Sequence, residues 1–378
     1  HSLFCGANQQ NSYRELLEIF GPSVPDLTGP TLAITAQAEG AEVDPDFDLA
    51  RHLRFERLPA RASLPRLLAA IERQMAEPLD ASRPLWDAVL YEGLPRGRAG
   101  LLFRMSHAVA DGIGAVRLFG ALFDTEAAPA RRAPVAAPIP EDITPDELQR
   151  EQVARLPAAL LDAAGEATLA ATRAALRVAL DPAREAARAR DYLQSMGRIF
   201  ATPTAPSPLL AGRSLARRLI ALEVPLEPLK AAGRAAGGSL NDAYLAAVVG
   251  ALGRYHEALG ASVDAMPMAI PVNLRRDDDP AEGNFFGAVT IAAPLGIGDP
   301  AERIAVMHQQ VTSGRHEPAI GAPALLAPAL ARLPERARIA LAESIPRPDI
   351  QVSNVPGSPD PIFVAGGRIE RAWAFGPV

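Results

Sequence analysis

A chain of 378 residues, 48% hydrophobic and 22% charged, has the balance of a folded globular protein with length for more than one packing unit. Its formal charge of -6 argues against a general nucleic-acid binder, which needs clustered Lys and Arg to meet phosphates. A single cysteine, Cys5, excludes an intramolecular disulfide and any metal site built on several thiolates.

No uninterrupted apolar run reaches the ~18 residues of a membrane span, so no transmembrane helix is expected, while contact with a membrane surface stays open. Reducing cytoplasm is the default compartment for such cysteine usage. His1-Ser2-Leu3 carry no initiator Met and no signal-peptide pattern. The expectation is a processed, truncated or partly observed end, and the first ~30 residues are uninformative.

In chain order, Ser63 predicts a helix N-cap, followed by Leu64, Leu67, Leu68, Ile71 and Met75 on one face. Trp86–Tyr91 and Gly100–Met105 read as strands joined by a Gly/Pro-bearing turn. After Ser106-His107-Ala108-Val109-Ala110-Asp111-Gly112 a helix is expected to resume, with Ile113, Val116, Phe119, Leu122 and Phe123 inward. Residues 125–143, rich in Ala, Pro and Arg, lose periodicity and predict a linker. Thr144-Pro145-Asp146-Glu147 has the form of a helix start. The Ala- and Arg-rich tract to about 195 reads as helical by propensity, interrupted at Pro157 and Pro182. It is either a crossover between two lobes or a solvated arm.

Leu219–Val224 predicts a strand and Leu226–Ala236 a helix closed by Gly237-Gly238. Ser239 can cap the next helix, whose expected apolar face carries Leu240, Tyr244, Val248 and Leu252. Pro267–Leu274, Phe285–Leu295 and Ile350–Val355 read as further strands. Strands mixed with helices throughout predict an α/β or α+β protein. The expected organisation is an N-terminal lobe over 1–135, a helical crossover over 136–213 and a C-terminal lobe over 214–378.

The chemistry concentrates at His107-x-x-x-Asp111-Gly112. An imidazole titrates near neutrality, so it can take the proton of a hydroxyl, and an alcohol attacking a thioester needs such a base. A nearby carboxylate can fix the imidazole or brace the loop by pairing with an arginine. Glycine lets a slender ligand approach the backbone. The alternative for the motif alone is a His that packs or is solvated at a strand end.

Further segments accompany the motif in order. They are Asp44-Pro45-Asp46-Phe47-Asp48-Leu49-Ala50-Arg51-His52, Pro78-Leu79-Asp80-Ala81-Ser82-Arg83-Pro84-Leu85-Trp86, Asn241-Asp242, Pro271-Val272-Asn273-Leu274-Arg275, Gly283-Asn284-Phe285-Phe286-Gly287 and Ser353-Asn354-Val355-Pro356-Gly357. In these the chain resembles the bacterial wax ester synthase/diacylglycerol acyltransferase family, across about residues 44–378. That family is part of the coenzyme A-dependent acyltransferase superfamily, which includes chloramphenicol acetyltransferase and peptide-synthetase condensation domains.

The resemblance implies a two-lobed fold, each lobe an open sheet with helices, and a tunnel between them. It implies a fatty acyl group passing from acyl-CoA to a fatty alcohol or diacylglycerol, with acyl-CoA as substrate and no cofactor. His107 is then the base, acting in one ternary complex without an acyl-enzyme. A tetrahedral oxyanion needs a hydrogen-bond donor; Asn241 is the first candidate, with Ser353 or Asn354 behind it. Asp111 is expected to brace its loop through Arg275, and Gly112 to give close approach.

Two departures accompany the resemblance. The family has two consecutive histidines where this chain has Ser106 before His107; the second, the base in the superfamily, is retained. The chain also stops at Gly376-Pro377-Val378 where family members continue into further strand. Two rivals to free acyl-CoA transfer are a donor held on a carrier protein and a member that binds acyl chains without turnover. Lipid-droplet or membrane association is a family-level expectation.

Weighed as ordinary structure, Asp242 suits a helix start whatever the function, and Trp86 suits core packing or a tunnel wall. His52, His256, His308 and His316 lack metal-ligand spacing and read as packed or surface residues. Asp277-Asp278-Asp279 before Pro280 reads as a solvated turn.

Overall fold

The computed structural model describes residues 2–8, 48–80, 83–106, 119–120, 122–128, 177, 179–212, 214, 216–273, 286–323, 330, 333–344, 347–355 and 357–376. The predicted helix start at Thr144 and most of the linker lie outside the described residues.

The first sheet contains β1 (Ser2–Asn8), β2 (Leu53–Arg57), β3 (Trp86–Glu92), β4 (Arg98–Met105) and β10 (Ala372–Phe375), in the order β10-β1-β4-β3-β2. Only the β2–β3 pairing is parallel. A short helix α1 (Leu49–His52), capped by the Asp48 side chain, leads into β2. Helix α2 (Leu64–Ala76) begins after Ser63 as expected, although the Ser63 side chain makes no capping bond and Pro65 sits in the first turn.

The two strands β3 and β4 are buried on both faces, which is why they read as near-continuous apolar runs. Trp86, Ala88, Leu90, Leu101, Phe103 and Met105 face one core with Leu122, Phe123 and Val364. On the other face Val89, Tyr91 and Leu102 pack against Leu67, Leu68 and Ile71 of α2. In the predicted helix 113–123, the described part shows the Phe123 amide donating to the Phe119 carbonyl.

The helical tract is interrupted at Pro182 as expected: helical residues 177, 179 and 180 precede a break at Asp181, and α3 (Pro182–Phe200) starts anew behind the Asp181 cap with the proline in its first turn. That position needs no amide hydrogen, so proline is accommodated there. The helix is tied to the second half of the chain by Ser195, whose Oγ accepts from the Ala319 amide, and by the Arg198–Glu317 pair.

The second sheet has the order β6-β5-β7, from β5 (Ala265–Asn273), β6 (Phe286–Pro294) and β7 (Ile350–Gln351), with β7 parallel to β5. Helices α4 (Leu226–Ala235), α5 (Leu240–Ala258) and α6 (Pro300–Arg315) belong with it. Buried Ala243, Leu245, Ala246 and Val249 of α5 meet Met268, Ile270, Ile291, Ile304 and Met307 in one core. A further helix, α7 (Glu335–Ser344), precedes β7. Short strands β8 (Phe363–Val364) and β9 (Gly367–Arg368) then form a hairpin, and β10 carries the chain back to the first sheet.

Two expectations change. The α5 stripe Leu240, Tyr244, Val248 and Leu252 is only half-buried; its fully buried side is Ala243, Ala246, Val249, Gly250 and Gly253. Small residues win that face because α6 comes close, the Arg303 guanidinium lying over Gly250 and donating to the Ala246 carbonyl at 2.9 Å. Leu219–Val224 joins no sheet among the described residues. Its Leu219 amide instead donates to the Glu72 carboxylate of α2, and Leu219 and Ala221 pack against the α2 core.

Candidate active site

The polar residues singled out from the sequence fall into two described groups. The first sits at the strand ends of the first sheet. Trp86 opens β3 opposite Met105, the last residue of β4, and the Ser106 amide donates to the Leu85 carbonyl at 2.9 Å. Trp86 itself is 2% exposed and lies in a ring stack, 4.7 Å from His52 and 5.5 Å from Phe103 between centroids. It packs the core at the point where the chain enters the motif. His52 is also buried, its Nδ1 2.7 Å from the Trp86 carbonyl oxygen. His107, Asp111, Gly112 and Arg275 lie outside the described residues.

The second group forms at the start of α5. Gly237, with φ of 72°, and the Gly238 amide bonded to the Gly233 carbonyl close α4. A Cβ at Gly238 would sit 3.0 Å from Ile304 Cγ2 and 3.2 Å from Asp242 Oδ2, a close fit that would press on both side chains. Ser239 and Asp242 then make a reciprocal capping box. Both residues expected at this helix start, Ser239 and Asp242, thus take part in the cap.

Asn241, on that same turn, is half-buried. Its Oδ1 accepts from Nδ2 of Asn354 at 3.3 Å. The chain leading to Asn354 is anchored just before it: the Val352 amide donates to the Ala269 carbonyl of β5 and Val352 is buried, while Ser353 and Asn354 are exposed. Two of the candidates for the oxyanion donor are therefore brought together, and Ser353 lies exposed beside them.

Asp242 is 3% exposed. Its Oδ2 accepts from the Ser239 amide at 2.7 Å, the Ser239 hydroxyl at 2.8 Å and His308 Nδ1 at 2.8 Å. Burial by itself would raise this carboxyl, but the bonds from Ser239 and His308 outweigh it and hold the group below its ordinary value.

Two features escape sequence reasoning. His308 looks like any surface histidine until α6 is laid beside α5. Asp87 and Arg104 are charges within apolar runs whose other charges, Glu92 and Arg98, stand at the strand ends, and that was the available signal. They face each other across β3 and β4. Arg104 Nε donates to Asp87 at 2.7 Å, and its Nη1 donates to the Gln74 and Glu77 carbonyls, closing the end of α2. Arg54 adds a second cation to Asp87 at 2.9 Å.

Among the described residues no three His, Cys, Asp or Glu side chains gather as a metal site would, and no helix is long and apolar enough to cross a membrane.

Comparison with known proteins decides the family. The wax ester synthase/diacylglycerol acyltransferase catalytic domain matches residues 25–244, and the WS/DGAT C-terminal domain matches residues 282–378. The chain belongs to the wax ester synthase/diacylglycerol acyltransferase family.

A Mycobacterium tuberculosis protein named as a diacylglycerol O-acyltransferase is 42% identical over 336 residues, 89% of this chain and 68% of that one. Another from the same species, bearing the same activity in its name, is 31% identical over 367 residues, 94% of this chain and 76% of its own. The wax ester synthase/diacylglycerol acyltransferase of Marinobacter aquaeolei superposes with a TM-score of 0.59 at 18% identity, over 98% of this chain and 80% of that one. The first condensation domain of the calcium-dependent antibiotic synthetase follows, with a TM-score of 0.53 at 18% identity over 97% and 77%. Those two likenesses speak to fold, and the fold is the mixed α/β type expected. As a member of this family the chain is an acyltransferase enzyme, acting on an acyl donor and a lipid acceptor.

Proposed function

We propose that the chain transfers a long-chain fatty acyl group from acyl-CoA to a fatty alcohol, to diacylglycerol or to both, giving wax esters or triacylglycerol. The observation that carries this reading is the run from Trp86 through Ser106-His107 to Gly112, which lies within the matched catalytic domain and begins on paired strand ends. The 42% identical relative named for diacylglycerol acylation supports the acceptor class.

In this mechanism His107 takes the proton of the acceptor hydroxyl, and the oxygen attacks the thioester carbonyl. The tetrahedral oxyanion collapses with loss of the coenzyme A thiolate, which receives the proton held by His107. Asn241 is the oxyanion donor. With its Oδ1 occupied by Asn354, its Nδ2 hydrogens are the part of the amide left to meet a developing negative charge. Asp111 braces the motif loop through Arg275, and Gly112 admits the slender substrate. No acyl-enzyme, metal or redox cofactor enters these steps. The protein works in the cytoplasm and meets its substrates at a membrane or lipid-inclusion surface.

The test is thiol release from palmitoyl-CoA with hexadecanol, diacylglycerol or no acceptor, the ester being identified by lipid analysis. Acceptor-dependent release is expected, and His107→Ala should lower it by at least ~100-fold while acyl-CoA binding persists. No release from folded protein that still binds acyl-CoA would overturn the reading in favour of a carrier-bound donor or a non-catalytic binder. Near-normal turnover in His107→Ala would overturn the mechanism.

A further inference from the structure

Capping a helix is a local matter, and the start of α5 is fully capped by its own turn. Ser239 and Asp242 exchange their bonds within three residues. Yet the Asp242 carboxylate takes one more donor, His308 Nδ1 at 2.8 Å, from the middle of α6 and 66 positions away. Helix formation does not need this bond. What it adds is a fixed link between the first turn of α5 and a neighbouring helix anchored in the core by Ile304, Met307 and Val311.

The same turn carries Asn241. A chain of contacts therefore runs from His308 to Asp242, through one peptide unit to Asn241, and on to Asn354. An oxyanion donor must be held within about 0.5 Å of its working position, which requires support from groups that never touch substrate. Asp242 is buried and oriented, whereas the His308 ring is half-exposed, 49% by side chain. Its outer edge meets solvent while its inner nitrogen faces the carboxylate. A histidine there only for core packing would be buried like His256, which is 1% exposed.

We propose that His308 is a positioning residue for acyl transfer, fixing the first turn of α5 through Asp242 so that the Asn241 amide is aimed at the reacting carbonyl. This rests on the reading of Asn241 as the oxyanion donor. The bond is made by Nδ1, the nitrogen nearer the backbone, so an asparagine at 308 can offer an amide hydrogen over a similar reach, and alanine cannot.

The experiment measures kcat and KM for palmitoyl-CoA in His308→Ala, His308→Asn, Asn241→Ala and the double variant His308→Ala/Asn241→Ala, with thermal melting as the check of folding. His308→Ala should lower kcat by about 10-fold with KM within about 2-fold, since misplacing a group costs rate rather than binding. His308→Asn should recover most of that rate even if its melting temperature matches that of His308→Ala. In the Asn241→Ala background, His308→Ala should change kcat by less than about 2-fold, because the group it positions is gone. Wild-type kcat in His308→Ala, equal losses in the Ala and Asn variants, or an undiminished effect in the double variant would each overturn the proposal. Wild-type kcat in Asn241→Ala would instead overturn the oxyanion reading beneath it, whatever the His308 variants do.

Discussion

Asn354 donates its side-chain amide to Oδ1 of Asn241 over 3.3 Å, joining residues 113 positions apart. A carboxamide has one acceptor end and one donor end, and among the described residues it is the acceptor end of Asn241 that is engaged. Asn241→Ala should lower kcat by about 100-fold, the cost of one oxyanion donor. Asn354→Ala loosens the amide without reversing it, so its loss should be smaller. Asn354→Asp offers only acceptors and draws the Asn241 NH2 toward itself. Its kcat should fall below that of Asn354→Ala, and steady-state rates with palmitoyl-CoA would show the order.

The buried pair of Asp87 and Arg104 predicts a large stability effect. Removing one partner leaves the other charge without compensation in a core, so Asp87→Ala should cost about 3–5 kcal/mol. Replacing both by Leu and Met should recover much of that loss, although the α2 carbonyls of Gln74 and Glu77 would then lack their donor. Urea denaturation of the wild type and these two variants measures both.

Asp242 predicts a pH dependence of stability. Its carboxyl sits below its ordinary value in the folded protein, so folding favours the ionised form. The contribution is complete above the unfolded value of about 4 and is lost as pH falls through the lower folded value. Wild type should therefore exceed Asp242→Asn in stability at neutral pH, and the gap should close as the medium is acidified below about pH 4. Denaturation midpoints across that range are the measurement.

Tyr91 is wholly buried, and its hydroxyl has no hydrogen-bond partner among the described residues. Burial raises the phenol well above its usual range, with the Glu56 charge adding to it. An unpaired polar atom in a core is a cost, so Tyr91→Phe should leave stability unchanged or raise it by up to about 1 kcal/mol. A drop in melting temperature would contradict this.

Where the signal was local, the sequence was readable. The α2 helix after Ser63, the β3 and β4 runs, the Gly237-Gly238 stop and the Ser239 start all rest on residues within one turn or one strand, and the structure has them there. Family membership was equally legible, because six ordered segments need no geometry to be compared.

What the sequence by itself determined was therefore these local elements and, through the ordered segments, the acyltransferase class of chemistry. Tertiary structure decided the rest, since it depends on pairs far apart in the chain. The approach of α6 chose the small-residue side of α5 and turned His308 into a partner of Asp242. The segment Leu219–Val224 meets α2 through the Leu219 amide and joins no sheet among the described residues. Pairing across 113 residues engages the Oδ1 end of the Asn241 amide, and only a folded backbone can bring two such side chains together.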